Sequence, residues 1–163
     1  MKLLWVKGSA PLSKLIMWGL NEPVSHFAVM FDNKIIFHAD LTGMHIQWAN
    51  TFFKTRKVIF EMDYAPGLNK EEAMYQGILD AYDGKGYDYG AFVYFCWRAA
   101  LKKFFKIPLP EKNPWGSKDR FLCDEVVQLL PDQICPPAMK QRDLSMKSPY
   151  QVWLLCNETF KDQ

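Results

Sequence analysis

At 163 residues, 49% of them apolar and 15% aromatic, the chain can bury a core as one domain (1–163) without staples, and its composition excludes disorder. Lysine and arginine number 20 against 18 acidic residues, so the net charge of +2 gives no electrostatic basis for binding nucleic acid or an anionic membrane. The four cysteines (Cys96, Cys123, Cys135, Cys156) show neither C-x-x-C spacing nor a disulfide-dense pattern. They read as reduced thiols in a cytoplasmic or virion-associated protein.

The apolar stretch 1–7 is too short for a signal-peptide core and is interrupted by Lys7, so no secretion signal is expected. Residues 91–97 are apolar but end at Arg98, well short of a bilayer span, so no transmembrane segment is expected either. The basic run 98–106, interleaved with apolar residues, reads as a solvated helix face, with contact to lipid headgroups as the alternative.

In chain order, residues 2–6 predict a short strand, Gly8-Ser9-Ala10-Pro11 a turn, and 12–20 a helix with Leu12, Leu15, Ile16 and Gly19 on one face. Asn21-Glu22-Pro23 breaks that helix. Strands follow over 24–31 and 34–39, joined at Asp32-Asn33, a pair tolerant of positive φ. A turn at 41–43, a strand at 44–48, a brief helical excursion over 49–54 and a strand at 57–62 complete what reads as an antiparallel meander. The second half reads as helical. A helix over 69–82 is capped by Asn69 and stopped by Asp83-Gly84, and an apolar helix spans 90–105. A proline-rich loop covers 107–116. Ser117-Lys118-Asp119-Arg120 then supplies helix-start chemistry ahead of a helix carrying Cys123, which Pro131 ends. A strand over 152–155 closes the chain. The class is α+β, a helical layer on an antiparallel sheet of about four to six strands.

Cys123, in Phe121-Leu122-Cys123-Asp124-Glu125-Val126-Val127, is the residue most open to chemistry. A helix N-terminus lowers a thiol pKa and a neighbouring imidazole can take its proton. Strand alternation puts His26, Ala28 and Met30 on one face of their strand and Ile36, His38 and Asp40 on one face of the next. A hairpin centred on Asp32-Asn33 pairs residues whose numbers sum to about 65, which makes His26 and His38 neighbours. Thiol to imidazole, and imidazole to a second polar group, is the layout a nucleophile requires. Taken singly, each residue has a blander reading: the cysteine as a small buried hydrophobe, the histidines as satisfied strand residues. His45 reads as a rim residue. Three histidines and a cysteine without tight ligand spacing do not make a zinc motif, so neither metal nor cofactor is expected.

Beyond these residues, the chain resembles the circularly permuted NlpC-type branch of the papain-like superfamily, which includes YiiX- and YaeF-like bacterial proteins and the lecithin:retinol acyltransferase family. Pro23-Val24-Ser25-His26-Phe27-Ala28-Val29 is similar to that family's Ser-His strand, and Ile35-Ile36-Phe37-His38-Ala39 to the strand carrying its third polar residue. Gly43-Met44-His45-Ile46 resembles the strand that follows, and Phe121 to Val127 the family's Cys-Ser-Glu helix. Leu12 to Ile16 and Ser148-Pro149 resemble its early and late elements, so the likeness spans most of the chain.

The resemblance implies a permuted papain-like fold with Cys123 as nucleophile at a helix N-terminus, His26 as general base and His38 as the group orienting it. It further implies a cysteine hydrolase working through an acyl-enzyme on an amide or peptide bond, with peptidoglycan-derived peptide as substrate. A lipid ester or acyl-transfer substrate is the alternative on the same fold, and a non-catalytic structural or binding module, such as a virion component, is the alternative outside enzymes. The oxyanion would rest on backbone N–H groups where the Cys123 helix begins, with a tyrosine of Tyr87-Asp88-Tyr89 as a further donor. Asp124 stands where the bacterial branch has Ser, and the Asn-Cys-Glu-His motif of the acyltransferases is lacking.

Overall fold

The computed structural model describes residues 1–32, 34–63, 85–107, 114–115, 122–123, 125–129, 144 and 147–161. The expected helix over 69–82, the helix start at 117–120, Asp124, the stop at Pro131, Cys135 and most of the 107–116 loop lie outside them. Five strands form one antiparallel sheet: β1 (Lys2–Gly8), β2 (His26–Met30), β3 (Ile35–Asp40), β4 (Gly43–Trp48) and β5 (Arg56–Asp63). Helix α1 (Pro11–Leu20) follows β1, and the single turn α2 (Ala49–Phe52) follows β4. Helix α3 (Tyr89–Phe105), a 3-10 helix at Glu125–Leu129 and helix α4 (Pro149–Lys161) make the rest of the helical content.

The sheet order is β4-β3-β2-β1-β5, which corrects the meander. Strands β1 to β4 are neighbours in chain order; β5 is not paired with β4 as expected but returns across the sheet to pair with β1 at the far edge, which leaves β1 between β2 and β5. The physical reason is burial. Leu3 and Trp5 on one face of β1, with Leu4 and Val6 on the other, are all inaccessible or nearly so, and a strand apolar on both faces is satisfied only inside a sheet.

Alternation then sorts the residues into two cores. Leu3, Trp5, Phe27, Val29, Phe37 and Met44 face the helical layer, where Ala91, Val126 and Val152 pack on them. Leu4, Val6, Ala28 and Ile36 face the other way and are covered by Ala49 and Phe52 of α2. Each large apolar side chain so buried contributes about 1.5–3 kcal/mol. A β-bulge between Trp5 and Val6 changes the β1–β5 register, so that Trp5 faces Phe60 while Val6 faces Val58. Phe60 and Met62 therefore join the helical-side core, and Val58 joins the opposite one. The extra residue Ile59 reverses the alternation and turns Arg56 onto the α2 face, its guanidinium 4.6 Å from the centre of the Phe52 ring.

The β2–β3 hairpin pairs Val29 with Phe37 and Met30 with Ile36, one residue out from the centre expected at Asp32-Asn33. Phe31 donates its N–H to the Ile35 carbonyl, Lys34 donates its N–H to the Phe31 carbonyl, and Lys34 takes the positive φ of 65°. The closing segment is α4 instead of the strand expected over 152–155. Its start was legible: Ser148-Pro149-Tyr150-Gln151 is a capping box with proline at the first helical position. Ser148 Oγ accepts from the Gln151 N–H at 3.1 Å, and Gln151 Oε1 accepts from the Ser148 N–H at 3.0 Å. Among the described residues no helix is long and apolar enough to cross a membrane.

Gly43 opens β4 at φ 126°, and a Cβ there would stand 2.7 Å from the Lys85 carbonyl oxygen that accepts the Met44 N–H. Gly43→Ala is expected to destabilise the protein by about 1–3 kcal/mol, seen as a lower urea midpoint with unchanged slope. An unchanged midpoint would mean that this contact is not held in solution.

Candidate active site

His26 opens β2 and His38 lies near the end of β3, both on the α2 face of the sheet, because alternation from Ala28 and Ile36 fixes that side. The rings meet edge to face with centroids 5.2 Å apart, and His26 Nε2 lies 3.2 Å from His38 Nδ1. The expected adjacency is thus present. The contact is sealed by Phe52, whose ring is 5.1 Å from that of His38 and 6.2 Å from that of His26. The space beside Ala28 and Met30 on that face is filled by α2.

Beyond His38 the polar chain continues into β4. Gln47 Nε2 lies 2.5 Å from His38 Nε2, so three side chains on adjacent strands form one line: Gln47, His38, His26. Sequence reasoning missed Gln47. The available signal was that Gln47 shares a strand face with His45, opposite His38 in register. His45 is half-buried; its Nε2 donates to Thr42 Oγ1 at 2.7 Å and stands 3.2 Å from Asp40 Oδ1. Asp40 also accepts from the Thr42 amide and hydroxyl, and its other oxygen accepts from Arg56 at 3.2 Å.

These surroundings set the charges. Burial, reinforced by the Arg56 cation and opposed by Asp40, pushes the His26 imidazole down from 6.5 to about 3. His38 is pushed down as well, first by burial and then by the adjacent His26 and Arg56. Both rings are neutral at neutral pH. Burial works against the Asp40 carboxylate, yet the Thr42 hydroxyl and amide hold it below the usual carboxylate range. Arg56 is lowered by its own burial and partly restored by Asp40.

Cys123 is 8% exposed and sits in a turn, two residues ahead of the 3-10 helix. This corrects the expectation of an α-helix N-terminus among the described residues. A five-residue 3-10 segment has a small dipole, so little of the thiol's activation can come from it. The Leu122 N–H is donated to Glu125 Oε2 at 2.7 Å and is not offered to an oxyanion.

The 3-10 helix packs on the opposite face of β2 and β3 from the histidines, through Val126. Cys123 and His26 nevertheless line one cavity of about 290 Å³, which wraps the end of the sheet where β2 begins and β3 ends. Asp40, Thr42 and Arg56 form its polar end, with Ser25 and Tyr87 on its walls; Leu12, Ile16, Phe92 and Phe95 from α1 and α3 form its apolar end. His38 does not line it. The structure therefore brings Cys123 and His26 to a common space and leaves His38 outside it, behind His26. Of the two tyrosines considered as donors, Tyr87 reaches the cavity, whereas Tyr89 donates its hydroxyl to the Leu41 carbonyl. Among the described residues no group of three histidine, cysteine or acidic side chains could hold a metal ion. No family model, curated protein or solved structure matches the chain.

Proposed function

We propose that this chain is a cysteine-dependent hydrolase with a permuted papain-like fold, in which Cys123 attacks a carbonyl carbon and His26 is its general base. The observation that carries the reading is the cavity shared by Cys123 and His26, together with the tethering of His26 Nε2 by His38. With Nε2 so occupied, Nδ1 is the nitrogen that meets the thiol. The thiol proton passes to Nδ1 as the S–C bond forms, and His26 returns it to the departing amine or alkoxide as the C–N or C–O bond breaks. Water then hydrolyses the thioester, with His26 again accepting the proton. Because His26 is neutral and only weakly basic, proton transfer accompanies attack instead of preceding it as a standing thiolate–imidazolium pair.

The line of side chains has two possible proton orders. With the Gln47 amide nitrogen donating to His38 Nε2, His38 Nδ1–H donates to His26 Nε2, and the His26 proton sits on Nδ1 where it blocks base catalysis. With the Gln47 carbonyl turned to His38, every donor reverses and Nδ1 becomes a bare lone pair. Gln47→Glu can only accept, so it is expected to favour the second order and to raise the pKa of the histidine pair. Gln47→Leu is expected to lower kcat roughly tenfold at unchanged KM, since the base loses its orientation. Equal rates for both variants would remove Gln47 from the mechanism.

The resemblance points to amide bonds of cell-wall peptide, while the apolar end of the cavity, between α1 and α3, favours a substrate with an apolar acyl group. Turnover of muropeptides set against p-nitrophenyl esters of increasing chain length decides between them. A rate that climbs from acetyl to octanoyl supports the acyl reading; cleavage of muropeptides alone supports the peptidase. No turnover of either class, with Cys123 no more reactive than Cys96, would leave a binding module and overturn the proposal.

A further inference from the structure

Helix α1 has an unusual combination of composition and exposure. Seven of its ten residues are proline, leucine, isoleucine, methionine or tryptophan, and none of the ten is buried. A helix apolar on so much of its surface is normally enclosed. Its outer stripe of Lys14, Leu15 and Trp18 lies beside a second one on α3: Tyr89, Val93, Trp97 and Phe104, at helical spacing, each at least half exposed. The stripes meet where Trp18 and Phe104 face each other with ring centroids 6.3 Å apart. Phe105, 68% exposed, extends the surface at the end of α3. Twelve large apolar side chains are exposed among the described residues, and seven of them lie on these two helices, so this is one patch and not scatter.

The charges on the patch share one sign. Residues 11–20 and 89–106, which make up α1 and α3 with the residue that follows, contain no aspartate or glutamate and five basic residues, among them Lys14, Arg98, Lys103 and Lys106. As the whole chain is only +2, the remainder is net −3. Lys103 shows how the patch is built: its ammonium stands 3.9 Å from the centre of the Trp18 ring and donates to the Trp18 carbonyl.

From these observations we propose that α1 and α3 dock the protein on the surface of an anionic lipid bilayer. Exposed Trp, Phe and Leu interleaved with Lys and Arg, without acidic residues, match an interface in which rings enter the acyl boundary while ammonium groups pair with phosphates. The core of a protein–protein interface is instead depleted of lysine. The groove between the helices, about 180 Å³, shares Ile16 and Phe95 with the Cys123 cavity, so the docked face is continuous with the route to the thiol. The docking itself requires no catalysis.

Flotation of the full chain with phosphatidylcholine vesicles, with and without phosphatidylglycerol, tests this. Binding is expected only where phosphatidylglycerol is present, with a blue shift of tryptophan emission and loss of binding as salt is raised. Lys103→Glu is expected to weaken binding roughly tenfold, and Trp18→Ser with Phe104→Ser by at least as much. Trp48→Ser and Phe53→Ser, exposed elsewhere on the molecule, control for fold and leave binding unchanged. No flotation with anionic vesicles, binding equal with and without phosphatidylglycerol, or binding insensitive to the α1 and α3 variants would overturn the proposal. Self-association abolished by the same variants, without vesicle binding, would assign the face to a second copy of the chain and overturn it equally.

Discussion

Cys123→Ala is expected to abolish the burst of p-nitrophenol that acyl-enzyme formation releases from an activated ester, and to lower steady-state turnover by at least about a thousandfold. The size of the effect follows from the step removed, since without the sulfur no covalent intermediate can form. His26→Ala is expected to fall to nearly the same floor, because the two residues act as a unit and their losses do not add. Cys96→Ser should leave turnover intact. The Cys96 thiol is pushed up by burial and belongs to the groove between α1 and α3, away from the histidines. Iodoacetamide mapping gives an independent readout: Cys123 should be alkylated before Cys96, and its rate should rise with pH without a plateau at low pH. A low-pH plateau would mean a standing ion pair, which the burial of His26 opposes. Full activity in Cys123→Ala would end the thiol mechanism.

Acidification below about pH 6.5 is expected to destabilise the fold steeply, chiefly through the histidine pair. In the unfolded chain each imidazole takes a proton near pH 6.5, whereas folded His26 resists protonation down to about 3. The unfolded state therefore binds more protons across that window. Stability is fully present above about pH 6.5 and is lost as pH falls, at about 1.4 kcal/mol per pH unit for one such group. His38 is shifted in the same direction by the same cause and adds to the slope. Against a total of about 5–15 kcal/mol for a domain, two such groups remove a large share of the stability within the window. Urea midpoints taken between about pH 7 and about pH 4 should fall steeply for the native chain and only weakly for a His26→Asn/His38→Asn variant. Arg56→Gln should shallow the fall, because its cation contributes to the lowering of both histidines. Parallel curves for the native and double-asparagine chains would show that the pair is hydrated in solution and that its burial is not what sets the charge.

Much of the candidate site could be read from residue order. Strand alternation placed His26 and His38 on adjacent strands, but the register expected around Asp32-Asn33 would have turned the two rings to opposite faces, and only the observed pairing, one residue out, brings both onto one face. What alternation could not supply was the identity of whatever covers a given face. Phe52 and Gln47 are unremarkable residues in the sequence and became part of the site only because α2 folds back over the histidine face and β4 pairs with β3. Arg56 was hidden for a different reason. Strict alternation along 56–62 puts it on the side of Phe60 and Met62, and only the bulge reverses it.

The sequence by itself determined the α+β class, the elements from β1 to β5 within a residue or two, and the placing of the two histidines on adjacent strands, because all of these follow from local periodicity and turn chemistry. The tertiary structure alone decided that β1 lies inside the sheet, that Cys123 precedes a 3-10 turn, and that Cys123 and His26 share a cavity only around the sheet's end. Those outcomes depend on which apolar faces find each other. A strand buried on both sides must have two neighbours, and that requirement is met by residues distant in the chain.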